Sequence, residues 1–156
     1  MGMDVYGNAP ISQEGEYFRA NLWGWRPIHY ISQVANERFE LGYDMSGWGY
    51  NDGKGLPKTK AKKLADAIEK LVAEYGEFQE PTDKIYICLG MWVEAGTGSF
   101  VGETENLDEV YPIGTLIHNS IVDSKGRHIE PAHSIDREFL NDWLVFLRNS
   151  GGFKIW

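Results

Sequence analysis

The chain has 156 residues, 42% hydrophobic and 24% charged, a length and balance that support a packed core and exclude a disordered chain. Lys and Arg number 15 against 23 Asp and Glu, for a formal net charge of −8. This argues against direct nucleic-acid binding, because a phosphate backbone rewards clustered basic residues. The single cysteine, Cys88, cannot close an internal disulfide. No basic-then-apolar leader is read and no apolar run is long enough to span a bilayer, so the expectation is a cytoplasmic protein that does not enter membranes.

Residues 1–156 are read as a single domain without repeats or low-complexity linkers. Met3–Gly7 reads as a strand ending in the turn Gly7-Asn8-Ala9-Pro10. Ser12 is placed to cap a helix that carries Tyr17, Phe18 and Leu22, with Glu14 and Glu16 suited to its dipole. That helix is expected to stop near Gly24, and Pro27 to open a second one whose stripe is Ile28, Ile31, Ala35 and Phe39. Glycines at 42, 47, 49, 53 and 55 break any regular pattern. Pro57 then introduces the clearest helix, with Ala61, Leu64, Ala65, Ile68, Leu71, Val72 and Tyr75 at helical spacing and Gly76 as terminator.

Beyond Pro81 the period changes to two. Ile85, Ile87 and Leu89 alternate with Tyr86 and Cys88, which predicts a strand that Met91-Trp92-Val93 continues. Gly96-Thr97-Gly98 is a turn, Ser99–Val101 a return strand, and Glu103, Glu105, Asp108 and Glu109 an acidic loop. Thr115–Val122 reads as a strand, Asp123–Gly126 as a turn and Arg127–Ile129 as the other arm of a hairpin. Ser134 is read as the cap of a last helix with Ile135, Phe139, Trp143, Phe146 and Leu147 on one face and Gly151-Gly152 at its end. Phe153–Trp156 is a terminal strand suited to pairing with Met3–Tyr6. The sum is an α+β fold, three or four helices packed on a small, mainly antiparallel sheet.

Five phrases stand out: Gly2-Met3-Asp4-Val5-Tyr6-Gly7, Gly15-Glu16-Tyr17-Phe18-Arg19, Trp23-Gly24-Trp25-Arg26-Pro27, Asn51-Asp52-Gly53-Lys54-Gly55-Leu56 and Phe146-Leu147-Arg148-Asn149-Ser150-Gly151-Gly152-Phe153. With them the chain resembles an uncharacterised family of small bacterial and bacteriophage proteins, over roughly its first half and last quarter. The resemblance implies a microbial cytosol and a mobile-element origin, and brings no catalytic residue with it. Some members carry paired Cys-x-x-Cys knuckles before the final helix. Cys88 stands alone here, and a structural zinc needs about four ligands, so neither metal nor cofactor is expected.

The aromatic cluster Tyr17, Phe18, Trp23, Trp25, Tyr30, Trp48 and Tyr50, with Arg19 and Arg26 beside it, is the most unusual feature. Such rings fill a small core or, when exposed, stack on a ligand or partner. Trp48 lies between Gly47 and Gly49 and is expected at the surface. The loop Asp44–Gly53 matches a calcium loop poorly, because Trp48 and Tyr50 take ligand positions. Lys54, Lys58, Lys60, Lys62 and Lys63 read as a solvated face, and His118, His128 and His133 as hairpin and surface histidines. No phosphate loop or nucleophile elbow is present. The expected function is binding without turnover, through Trp23, Trp25, Arg26, Trp48, Tyr50 and Asp52. The expected partner is a protein, as in a phage or mobile-element modulator or inhibitor of a host complex. The alternative is a sugar- or nucleotide-binding protein or enzyme that uses the Trp/Tyr/Arg cluster and the glycine-rich loop.

Overall fold

A computed structural model describes residues 2–74, 84–102, 107–117 and 119–156. The chain divides into two compact units, Met1–Glu77 with Glu138–Trp156, and Phe78–Arg137. Each unit has its own four-stranded antiparallel sheet, where one small sheet was expected. With three long helices the fold is α+β.

The first unit begins with β1 (Gly2–Gly7), a 3-10 turn (Gln13–Gly15) and β2 (Tyr17–Asn21). The helix expected after Ser12 is therefore only that short turn. Phe18 and Ala20 are buried while Tyr17, Arg19 and Asn21 are exposed, a period of two that belongs to a strand. Asn21 then caps α1 (Leu22–Arg38), its side-chain oxygen accepting the Gly24 N–H at 2.8 Å. Pro27 sits inside α1 instead of at the start of a second helix. A 3-10 turn (Ser46–Gly49) and β3 (Gly55–Pro57) lead to α2 (Lys58–Glu74), which buries Ala61, Leu64, Ala65, Ala67, Ile68 and Leu71 as its periodicity requires. Tyr75 and Gly76 lie outside the described residues.

The unit closes with α4 (Arg137–Asn149) and β8 (Gly152–Ile155). Gly151, at φ 66°, turns the chain between them, and a Cβ there would lie 2.1 Å from the Ala9 carbonyl oxygen. The strand order is β2-β1-β8-β3, so the two ends of the chain pair at the centre of the sheet, as Met3–Tyr6 and Phe153–Trp156 were expected to do. Met3, Val5, Phe18, Phe153 and Ile155 are buried. Trp143 of α4 joins rings from both halves of the unit: Phe18 at 5.0 Å, Trp25 at 5.7 Å, Phe153 at 5.6 Å and Phe146 at 5.7 Å between centroids. Aromatic packing of this kind adds about 0.5–1.5 kcal/mol per pair beyond the area buried.

The second unit holds β4 (Lys84–Glu94), a helical turn α3 (Leu107–Val110), β5 (Leu116–Ile117), β6 (Ile121–Val122) and β7 (His128–Asp136), in the order β5-β4-β7-β6. β4 pairs Ile87 with His133 and Trp92 with Pro131, so Cys88–Met91 oppose Ala132 alone. This bulge, with Gly90 at φ 86°, shifts the alternation. Leu89 is consequently only half-buried, and Cys88 and Trp92 join Val101 and Ile129 in a small core. The single strand expected over Thr115–Val122 is two short strands on opposite edges of the sheet. The hairpin at Asp123–Gly126 is present, with Val122 opposite His128. Ser134 does not cap the last helix. It lies in β7 opposite Tyr86, and Ile135 is a buried strand residue opposite Ile85.

Candidate functional site

The residues expected to bind do not gather on one surface. Helix geometry separates Trp23 from Trp25, since two residues along a helix turn about 200°. Trp23 is 68% exposed and Trp25 is 1% exposed. The exposed side of α1 also carries Arg26, one helical turn from Trp23. The inner side carries Trp25, Ile28 and Ser32.

Trp48 is fully buried, which corrects the expectation of a surface ring. The 3-10 turn aims its indole inward against His29 at 5.9 Å, Trp25 at 6.2 Å, Trp143 at 6.2 Å and Phe153 at 5.5 Å. Of the two flanking glycines, Gly47 allows the close approach of another chain segment: a Cβ there would meet the Lys54 side chain at 2.5 Å. The Trp25 Nε1–H donates to the Trp48 carbonyl at 2.8 Å, while the Nε1–H of Trp48 has no acceptor among the described residues. His29 Nε2 lies 3.1 Å from the Met45 carbonyl, and burial holds its imidazole pKa below the usual value.

Tyr50, two residues beyond Trp48, is 68% exposed. With Gly2, Met3, Leu22, Gly49 and Asn51 it lines a cavity of about 240 Å³. The pocket thus joins β1, the start of α1 and the end of the 3-10 turn, and Leu22 and Asn51 are members that sequence reasoning did not select. Their signal was indirect, adjacency to Trp23 and Tyr50. Asn51 Nδ2 lies 3.4 Å from the Gly2 carbonyl, a long contact that bridges two walls. Asp52 stays in its own turn, accepting the Lys54 N–H at 3.3 Å.

A second cavity, about 590 Å³, lies between β2 and α4, lined by Glu14, Tyr17, Phe18, Arg19, Phe139, Asp142 and Val145. Arg19 is ion-paired with Asp4 at 3.7 Å, and the Tyr17 hydroxyl donates to the same carboxylate. That bond raises the Tyr17 pKa.

Other groups among the described residues do not converge. Among the described residues, no three His, Cys, Asp or Glu side chains are placed to hold a metal ion. The Asp44 carboxylate accepts both the N–H and the hydroxyl of Ser46, at 3.0 and 2.6 Å, which lowers its pKa and commits it to its own turn. In β7 the two-residue period puts His128 and Glu130 on one face and buried His133 on the other. His118, Glu103 and Glu105 lie outside the described residues. The lysines of α2 are exposed, with Lys60 Nζ 5.3 Å from the Tyr43 ring. Compared with known proteins, the chain matches no protein family, no curated protein and no solved structure.

Proposed function

We propose that this chain is a protein-binding module acting without turnover, and that its contact surface centres on Trp23 and Tyr50, with Leu22 and Arg26 beside them. The carrying observation is the pair of rings, each 68% exposed, set on a helix start and a turn that the buried core holds in place. Exposed Trp, Tyr and Arg on a firm scaffold are the usual energetic anchors of protein interfaces. The pocket supports this reading over a nucleotide or sugar site, because about 240 Å³ falls below the roughly 300–1,000 Å³ typical of small-molecule sites. A pocket of that size instead suits one side chain of a partner. The net charge of −8 disfavours direct nucleic-acid contact. A cytoplasmic modulator of a host complex in a microbe or phage is the setting that the sequence resemblance favours.

The test is affinity capture from a bacterial lysate, comparing the unaltered chain with Trp23→Ala, Tyr50→Ala and the double variant. Each truncation should weaken capture by about 2 kcal/mol, roughly thirtyfold, with an unchanged melting temperature. Capture of the same partner at equal strength by the double variant would remove this surface from the function.

A further inference from the structure

Among the described residues, the sheet of the first unit ends at β2, which has a neighbour only on the β1 side. The register shows which β2 groups face outward. Asp4 and Trp156 exchange N–H···O bonds at 3.0 and 2.7 Å, so the backbone of Asp4 points to the β8 side of β1. Met3 and Val5 alternate with it and point to β2, where they oppose Ala20 and Phe18. The Gly7 N–H bond to the Glu16 carbonyl at 3.0 Å has the same phase. The backbone N–H and C=O groups of Tyr17 and Arg19 are left on the open edge. With Phe18 between them, Tyr17 and Arg19 line the cavity of about 590 Å³ from the β2 side, and α4 supplies its other wall.

The lining sets the chemistry of an occupant. Phe18 and Phe139, with ring centroids 5.4 Å apart, and Val145 form an apolar floor. Arg19 is already compensated by Asp4. Glu14 and Asp142 have no salt-bridge partner among the described residues, so the groove carries unbalanced negative charge. A strand added to β2 would place every second side chain on the face shared by Phe18 and α4.

We propose that this groove binds an extended basic segment of a partner protein by strand addition to β2. The segment pairs with the backbone of Tyr17 and Arg19, seats an apolar side chain on Phe18 and Phe139, and directs Lys or Arg two positions away toward Glu14 and Asp142. The site is separate from the Trp23–Tyr50 surface, so either can fail without the other.

The experiment titrates the full chain with the end-blocked pentapeptide Lys-Thr-Val-Thr-Lys and with Glu-Thr-Val-Thr-Glu, following backbone amides by NMR. The basic peptide should shift the Tyr17 and Arg19 amides saturably and bind about tenfold or more tightly than the acidic one, as expected of charge-directed selectivity. The exposed double variant Glu14→Lys with Asp142→Lys should reverse that preference. Equal affinities, shifts confined to the Trp23–Tyr50 pocket, or no shifts at millimolar peptide would overturn the proposal. A sedimentation result showing a dimer that protects the Tyr17 and Arg19 amides would also overturn it, making the occupant a second copy of this chain.

Discussion

Two tryptophans in one core, each replaced by phenylalanine, should respond differently. Trp25 and Trp48 are 1% and 0% exposed, with tilted rings whose centroids lie 6.2 Å apart. Replacement by Phe removes about three heavy atoms, or roughly 2–3 kcal/mol at ~0.8 kcal/mol per methylene-sized group. In Trp48 the change also deletes an Nε1–H that is buried without an acceptor. Such a donor costs about 1–3 kcal/mol, so Trp48→Phe should destabilise by no more than about 2 kcal/mol net. In Trp25 the deleted Nε1–H is bonded at 2.8 Å to the Trp48 carbonyl. Losing that bond and orphaning the carbonyl adds to the packing loss, for a total of roughly 3–5 kcal/mol. Trp48→Ala should cost about 3–5 kcal/mol, the usual penalty for a buried large aromatic. Urea unfolding of the three variants, compared by midpoint at unchanged slope, measures the differences. Equal losses for the two Phe variants would refute the assignment of the unmet donor. A Trp48→Ala midpoint equal to that of the unaltered chain would show the ring to be outside the core.

Three further outcomes follow from the packing. Leu64→Ala and Leu71→Ala, both on the buried face of α2, should each destabilise by about 2–5 kcal/mol in the same assay, and unchanged midpoints would remove that face from the core. Gly55→Ala would put a Cβ 1.8 Å from the Phe153 carbonyl oxygen, so β3 should detach from β8 with loss of amide-exchange protection at Ile155; retained protection would contradict the pairing. Burial lowers the His29 pKa, so the unfolded chain takes up the proton first. Stability should therefore be complete above the unfolded-state value of about 6.5 and decline as pH falls through it towards the folded-state pKa, with a flatter profile in His29→Gln. Identical profiles would free His29 of that role.

Elements whose apolar period was uninterrupted could be read directly. α2 has a single stripe from Ala61 to Leu71, and β1 and β8 alternate cleanly. β2 could not be separated from a helix, because Phe18 and Leu22 stand four apart behind Ser12 as a cap and Glu14 and Glu16 suited to a helix dipole. The strand emerges once Phe18 and Ala20 meet Val5 and Met3 in register. β7 was masked by its composition, since Pro131 and His133 occupy inward positions where Val or Ile would give the period away. The bulge in β4 depends on its partner strand and has only Gly90 as a local sign. Trp48 shows the same limit at the site. Its glycine neighbours suggest exposure, yet Gly47 serves the close passage of Lys54, a contact between residues brought together only by folding.

The inner and outer members of the aromatic cluster depend on each other. Trp25 anchors the 3-10 turn through the Trp48 carbonyl, and that turn fixes where Tyr50 leaves the core. The same helix turn that drives Trp25 inward projects Trp23 outward, and Asn21 sets the start of that helix. Both exposed rings therefore stand on supports that are themselves immobilised by packing. Side chains held this way lose little conformational freedom on contact, and ordering a rotamer-rich interface side chain costs about 0.5–1.5 kcal/mol. On the proposed protein-binding reading, the buried tryptophans contribute by fixing the backbone beneath Trp23 and Tyr50, not by touching the partner.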